Sequence, residues 1–337
     1  MIVEARLWEK SQNDSVICLL CSRKCHIQEN KRGFCQVRLN KAGNLYSLNY
    51  GYTGAINLDP VEKKPLYHYQ PGSKTFSIGA PGCNFDCLGC QNSSLSRPGD
   101  AFNPQREVSA SPEDLVQIAL TTEAKSLSFT YSEPTVFYEF AQDLGILGME
   151  KGLKSIWVSN GYLSGLTLQS LQGVAAMNID LKGFTDDFYR EVTKGRLEPV
   201  KDTIKAAFEK GIFIELTTLL IPTVNDGEKE LTALVEFIAA IDPKIPWHIS
   251  AFHPLRKQSH LRPTSSSDLE KARKIGKLNG LKYIYLGNAV GSDYGDTFCP
   301  QCGTLLVSRT GFSISLDKLS PRGLCPNCGE VIPGVWS

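Results

Sequence analysis

Between residues 74 and 288 the chain repeats one rhythm, a short β-rich run followed by a helical pattern, and few folds accommodate it. The runs are KTFSIGA (74–80), SLSFTY (126–131), SIWVSN (155–160), MNIDLKG (177–183), FIELTTLLI (213–221), WHISAF (247–252) and KYIYLGN (282–288). Between them lie amphipathic stretches such as SPEDLVQIALTTEA and GEKELTALVEFIAAI, several opened by a capping residue with early acids and closed by glycine. The serines at 265–267 stand where a cap for the last helix is needed. Alternation of this kind builds a parallel sheet, because each helix returns the chain to start the next strand in the same direction. The expected fold is α/β, a complete or partial (β/α) TIM-like barrel of parallel strands, with a doubly wound open sheet as the alternative.

Either architecture gathers working residues at the carboxyl ends of its strands. That rule collects the cysteine loop after the first run, Glu133 after the second, Asn160 after the third, Asp180 and Lys182 at the end of the fourth, and His253 after the sixth. The flanks have another texture. Residues 1–73 alternate short strand-like runs with turn signals such as NKAGN, and 297–337 carry two CPxCG turns. The expected division is a four-cysteine β extension over 1–73, the barrel over 74–296 and a metal ribbon over 297–337.

Charge excludes some partners. Of 337 residues, 36 are Lys or Arg and 35 are Asp or Glu, a formal charge of +1, which gives no field to attract nucleic acid or an anionic membrane. The opening MIVEARLWEK lacks the apolar run of an export signal, and no apolar stretch is long enough for a bilayer, so a cytoplasmic protein is expected.

The eleven cysteines fall into three sets: Cys18, Cys21, Cys25 and Cys35; Cys83, Cys87 and Cys90; Cys299, Cys302, Cys325 and Cys328. In a reducing compartment this grouping favours metal over disulfides. Two C-P-x-C-G knuckles make a four-sulfur site for zinc, or for a rubredoxin-type iron. The spacing C-x2-C-x3-C-x9-C at the N-terminus suits zinc or an auxiliary iron–sulfur cluster, and a loop-rich extension with short knuckles favours zinc. The central C-x3-C-x2-C has three thiols, and with the other eight grouped in fours none is left to complete it. Three thiolates hold three irons of a [4Fe–4S] cluster and leave the fourth iron open to a ligand.

The segments EKKPLYHYQPG, GCNFDCLGCQN, FTYSEPT, VSNGYL, NIDLKGFTDDFYREVTKG, TTLLIPTVND and SAFHPL follow one another as in the pyruvate formate-lyase activating enzyme branch of the radical S-adenosylmethionine (SAM) superfamily. With the four-cysteine leader and the terminal CGEVIPGVW, nearly the whole chain resembles the radical enzyme of the AmmeMemoRadiSam system. The resemblance implies a [4Fe–4S] cluster on Cys83, Cys87 and Cys90, with SAM chelated to it. It puts Glu133 at the methionine amino group, although Tyr131 and Ser132 replace the family's two glycines there. Ser159 and Asn160 would lie near the cofactor, Asp180 at the ribose, Lys182 at the methionine carboxylate and His253 at the adenosine. The implied reaction is reductive cleavage of SAM to a 5′-deoxyadenosyl radical that takes hydrogen from a protein, peptide or small molecule, a glycyl-radical activase being one form of it. The implied partners are reduced flavodoxin or ferredoxin, a Memo-like protein and an AMMECR-type protein. A non-catalytic electron-transfer or binding protein is the competing class, and it requires a fourth ligand at the central cysteines.

Overall fold

In a computed structural model, which describes residues 1–99, 102–103, 109–289, 291 and 293–336, each of the seven β-rich runs contains a strand. With an eighth ahead of them they form one sheet: β1 (Ala55–Pro60), β2 (Lys74–Gly79), β3 (Ser126–Phe129), β4 (Lys154–Ser159), β5 (Val174–Asp180), β6 (Phe213–Leu220), β7 (Trp247–Ala251) and β8 (Ile284–Gly287). Strands lie side by side in chain order. The registers are parallel where they are resolved, Thr75 beside Ser126, Ser126 beside Lys154, Leu216 beside Trp247 and Trp247 beside Ile284. The structure therefore shows an α/β fold on a large, mostly parallel sheet, with β1 and β8 at the two ends of the order; a closed barrel is not among the described pairings.

The helices begin where local chemistry starts them. In α1 (Pro112–Thr121) the Ser111 hydroxyl accepts from the Asp114 N–H at 3.1 Å while the Asp114 carboxylate takes the Ser111 N–H, and Pro112 occupies the first turn, where no N–H is needed. α2 (Tyr138–Glu150), α3 (Glu198–Glu209) and α4 (Glu228–Ile241) follow. In α5 (Ser266–Leu278) the first serine of the 265–267 run closes the same kind of box with Asp268. Among the described residues no helix is long and apolar enough to cross a membrane.

The chain divides into two compact units. One comprises Met1–Asp59, Lys74–Met177 and Val192–Ile212; the other comprises Pro60–Ser73, Asn178–Glu191 and Phe213–Ser337. In the first, two small antiparallel sheets precede β1: Val3–Glu4, Asn44–Ser47 and Arg38–Lys41 in one, and Trp8–Lys10, Val16–Cys18 and His26–Ile27 in the other. Arg38 from this leader and Glu139 from α2 form a buried, two-pronged ion pair at 2.7 and 2.6 Å.

In the second unit a chain of hydrogen bonds runs through a buried apolar cluster that includes Tyr67, Tyr285, Leu306 and Ile332. His68 Nδ1 lies 2.7 Å from the Pro333 carbonyl, which only accepts, so that nitrogen carries the proton. Its Nε2 then accepts from the Tyr285 hydroxyl at 2.6 Å, and Tyr285 meets the Thr297 hydroxyl at 2.8 Å, to which Arg309 donates at 2.9 Å. Nearby, Glu215 accepts from the His68 N–H at 2.7 Å and from His248 at 2.6 Å.

Burial lowers His68 from its ordinary 6.5 to about 4. The folded state therefore resists a proton that the unfolded chain accepts, and stability present above pH 6.5 is lost as the pH falls toward 4. We expect His68→Gln to lower stability at pH 7.5 and to flatten the decline between these values, as read by denaturant melts at each pH; an equally steep decline in the variant would contradict this.

Candidate cluster-binding site

The loop after β2 is fixed at several points within the first unit. Gly82, at φ +106°, takes a backbone conformation that side chains rarely adopt, and an added Cβ would stand 3.0 Å from the Cys35 carbonyl. The Gly82 N–H donates to Leu95 O at 2.9 Å, Asp86 N–H to Thr193 O at 3.0 Å and Leu88 N–H to Val192 O at 3.0 Å. Phe85 is buried, its ring 5.0 Å from that of Tyr162, and Gly195 leaves it room, since a Cβ there would lie 2.3 Å from the ring. The loop holds all three cysteines, with Cys90 Sγ 3.3 Å from the Ser96 hydroxyl. Burial first, then the charges of Glu133 and Cys87, push the Cys83 thiol well up, so an electropositive partner is needed to keep it as thiolate.

Glu133 is wholly buried just past the end of β3, and burial raises its pKa against the pull of its hydrogen bonds. Oε1 accepts from the Thr135 N–H at 3.1 Å, the Thr135 hydroxyl at 2.6 Å and the Ser159 hydroxyl at 2.9 Å, and Oε2 accepts from the Asn160 N–H at 2.8 Å. The carboxylate thus joins the ends of β3 and β4. Asn160 is oriented in turn, its Oδ1 accepting from the Tyr162 N–H at 3.0 Å, which turns Nδ2 toward Asn84 Oδ1 at 2.7 Å and Cys83 Sγ at 3.8 Å. Glu133, Ser159, Asn160 and the Cys83 loop are brought together here, through Asn84, which strand-end reading overlooked. Its only sequence signal is an amide beside the first cysteine of the motif.

Tyr131, at φ 68°, holds a left-handed conformation that glycine takes without strain. Its hydroxyl donates to Asp59 at 2.5 Å and accepts from Asn57 at 3.0 Å, and its carbonyl accepts from Asn92 at 2.8 Å; these bonds offset the strain.

In the second unit Asp180 and Lys182, at and just past the end of β5, form a half-exposed ion pair at 2.7 Å. His253 follows β7 and is exposed. At the C-terminus the two knuckles converge as their spacing implies. The four Sγ atoms of Cys299, Cys302, Cys325 and Cys328 lie within 4.8 Å of one another, and among the described residues theirs is the one group of three or more such ligands gathered so closely. Hydrogen bonds from the Asn327 side chain and from Thr304 lower the Cys302 thiol, which favours the thiolate a cation would take. Four sulfurs about 2.3 Å from a single ion fit within that spread, and the site suits one metal ion.

The central three cysteines are not gathered in that way. They belong to one loop, and Cys83 carries the electrostatic influence of both others. The structure defines an α/β protein whose parallel sheet carries a three-cysteine loop at a strand end.

Comparison with known proteins makes the class specific. Residues 77–235 match the radical SAM superfamily. An uncharacterized protein of Methanocaldococcus jannaschii is 41% identical over 334 residues, 98% of each chain, and the pyruvate formate-lyase-activating enzyme of Clostridium pasteurianum is 24% identical over 221 residues, 61% of this chain and 90% of that one. Streptococcus suis SuiB bound to S-adenosylmethionine covers 68% of this chain and 53% of its own, at 14% identity and a TM-score of 0.49. The chain belongs to the radical SAM superfamily and is an enzyme of that type, which implies a [4Fe–4S] cluster and S-adenosylmethionine.

Glu133→Gln tests the clamp. An amide can offer at most one acceptor oxygen to donors that now share two, leaving a buried N–H unmet at a cost of about 1–3 kcal/mol. A denaturant midpoint unchanged from wild type would show that the four bonds do not hold the strand ends.

Proposed function

We propose that this chain reductively cleaves S-adenosylmethionine and uses the resulting 5′-deoxyadenosyl radical to take hydrogen from a protein, peptide or small-molecule substrate, as the radical enzyme of an AmmeMemoRadiSam system. The observation that carries the reading is the central loop: three cysteines on one strand-end loop, with the chain's other eight in two sets of four. When bound there, a [4Fe–4S] cluster supplies the electron that breaks the sulfonium C–S bond.

The chain's own residues have separable tasks. Cys83, Cys87 and Cys90 hold the cluster. Asn160 directs an amide N–H at Cys83 Sγ from 3.8 Å, a weak donation that favours the thiolate. Glu133 acts as a positioning residue, since its oxygens already accept from Thr135, Ser159 and Asn160. In the second unit Asp180 and Lys182 suit ribose hydroxyls and a carboxylate, and His253 suits adenosine. Reduced flavodoxin or ferredoxin is the electron donor in this reading, Memo-like and AMMECR-type proteins are its partners, and the cytoplasm is its compartment. Likeness to the activating enzyme of C. pasteurianum favours a glycyl-radical activase as the second form of the same chemistry.

Anaerobically reconstituted protein with dithionite and S-adenosylmethionine is expected to release 5′-deoxyadenosine, and the reduced cluster's paramagnetic signal is expected to change when S-adenosylmethionine is added. Cys87→Ala should bring both to background. No release from the wild type would favour the non-catalytic class, and transfer of deuterium from a labelled candidate into 5′-deoxyadenosine would identify the substrate.

A further inference from the structure

The N-terminal cysteines take no part in the reaction described above, yet they surround a cavity. Cys18 N–H donates to Cys25 O at 3.0 Å and Lys24 N–H to Cys21 O at 3.1 Å, which folds the first three into a knuckle, and Cys35 closes the set from the turn before Arg38–Lys41. All four line one cavity, with Arg23, Arg38 and Asn84 among its other walls. They are not drawn together as the C-terminal four are. A single zinc ion about 2.3 Å from each sulfur requires close gathering, whereas a cluster bound at its corners keeps thiolates apart.

Two wall residues carry buried N–H groups with no acceptor, Arg38 at Nε and Asn84 at Nδ2, and both side chains are shielded from solvent. Their other polar atoms are committed. Arg38 gives its two terminal nitrogens to Glu139 and Val136 O, and Asn84 Oδ1 accepts from Asn160. Spare buried donors on residues that line a cavity with four thiols call for an anionic occupant with more acceptor atoms than the thiols alone provide.

We propose that Cys18, Cys21, Cys25 and Cys35 bind a second iron–sulfur cluster, with Arg38 Nε and Asn84 Nδ2 donating hydrogen bonds to its sulfur atoms. Knuckle spacing leaves zinc and an auxiliary cluster open, and the two unmet donors on the cavity wall favour the cluster. The second cluster is also tied to the loop of the first. Asn84 lies next to Cys83 in the chain, Arg23 from the knuckle donates to the Asn84 carbonyl, and Gly82 permits the close approach to Cys35. The cofactor is a one-electron carrier by class, held against the central loop.

The assignment rests on the radical SAM reading only for what lies beside it, and the measurement separates the two. Anaerobically reconstituted full chain with Cys83, Cys87 and Cys90 all changed to Ala is expected to retain iron and acid-labile sulfide at about four each, about half the wild-type content. A single ion at the C-terminal site contributes no sulfide. Zinc without sulfide in the triple variant, or wild-type sulfide of only about four, overturns the proposal; sulfide retained in the triple variant with no 5′-deoxyadenosine from the wild type overturns the enzymatic reading instead. In the triple variant Asn84→Leu is expected to shift the midpoint potential of the remaining cluster, and an unmoved potential removes Asn84 from the site.

Discussion

A carboxylate removed from water must be given hydrogen-bond donors, and the first unit is built around supplying them to Glu133. Its four donors come from Thr135, Ser159 and Asn160, so satisfying one charge fixes the ends of two neighbouring strands. Fixing Asn160 fixes its amide, which orients Asn84, and Asn84 lies between Cys83 and the N-terminal cavity. One desolvated acid is thereby linked through Asn160 to the loop that carries the three central cysteines.

The seven strands were legible because burial on a parallel sheet selects β-branched and aromatic residues locally, and the helices between them carry their own caps at Ser111 and Ser265. The cysteine sets were legible by spacing alone. β1 was not, since AINLDP has neither a period nor an apolar run, and it reads like the short strands of the leader. Long-range polar pairs were equally hidden. Arg38 and Glu139 are separated by 101 positions, and no local pattern marks either as one of the few charged residues the core accepts. Strand-end position pointed to Glu133 among the polar residues of this region, but it could not show that Oε1 already accepts three donors from the chain and Oε2 one.

The second unit solves a related problem differently. His68, Tyr285, Thr297 and Arg309 form a line of donors and acceptors ending on the Pro333 carbonyl, and each proton position follows from the one before it. Such a line ties the C-terminal segment to β8 by direction as well as by contact, because reversing one hydrogen bond strands a buried donor. YHY in the sequence gave no sign of this, as the partners of His68 lie 217 and 265 positions away.

The three cysteine sets show what spacing can and cannot decide. C-P-x-C-G turns dictate their own backbone, with Gly303 at φ 73° and Gly329 at φ 77°, and the hairpin between them with the apolar cluster around Cys299 and Cys325 brings the four sulfurs together. The other two sets depend on their surroundings. Around Cys83 a strand end, a buried acid and two amides set the environment, and around Cys18 a buried arginine and the spare end of Asn84 do so. In the proposed second cluster site the cysteines define how many thiolates are offered, and the unmet N–H groups of Arg38 and Asn84 define how many further acceptors the occupant brings. A zinc ion brings none, and a cluster brings its sulfides.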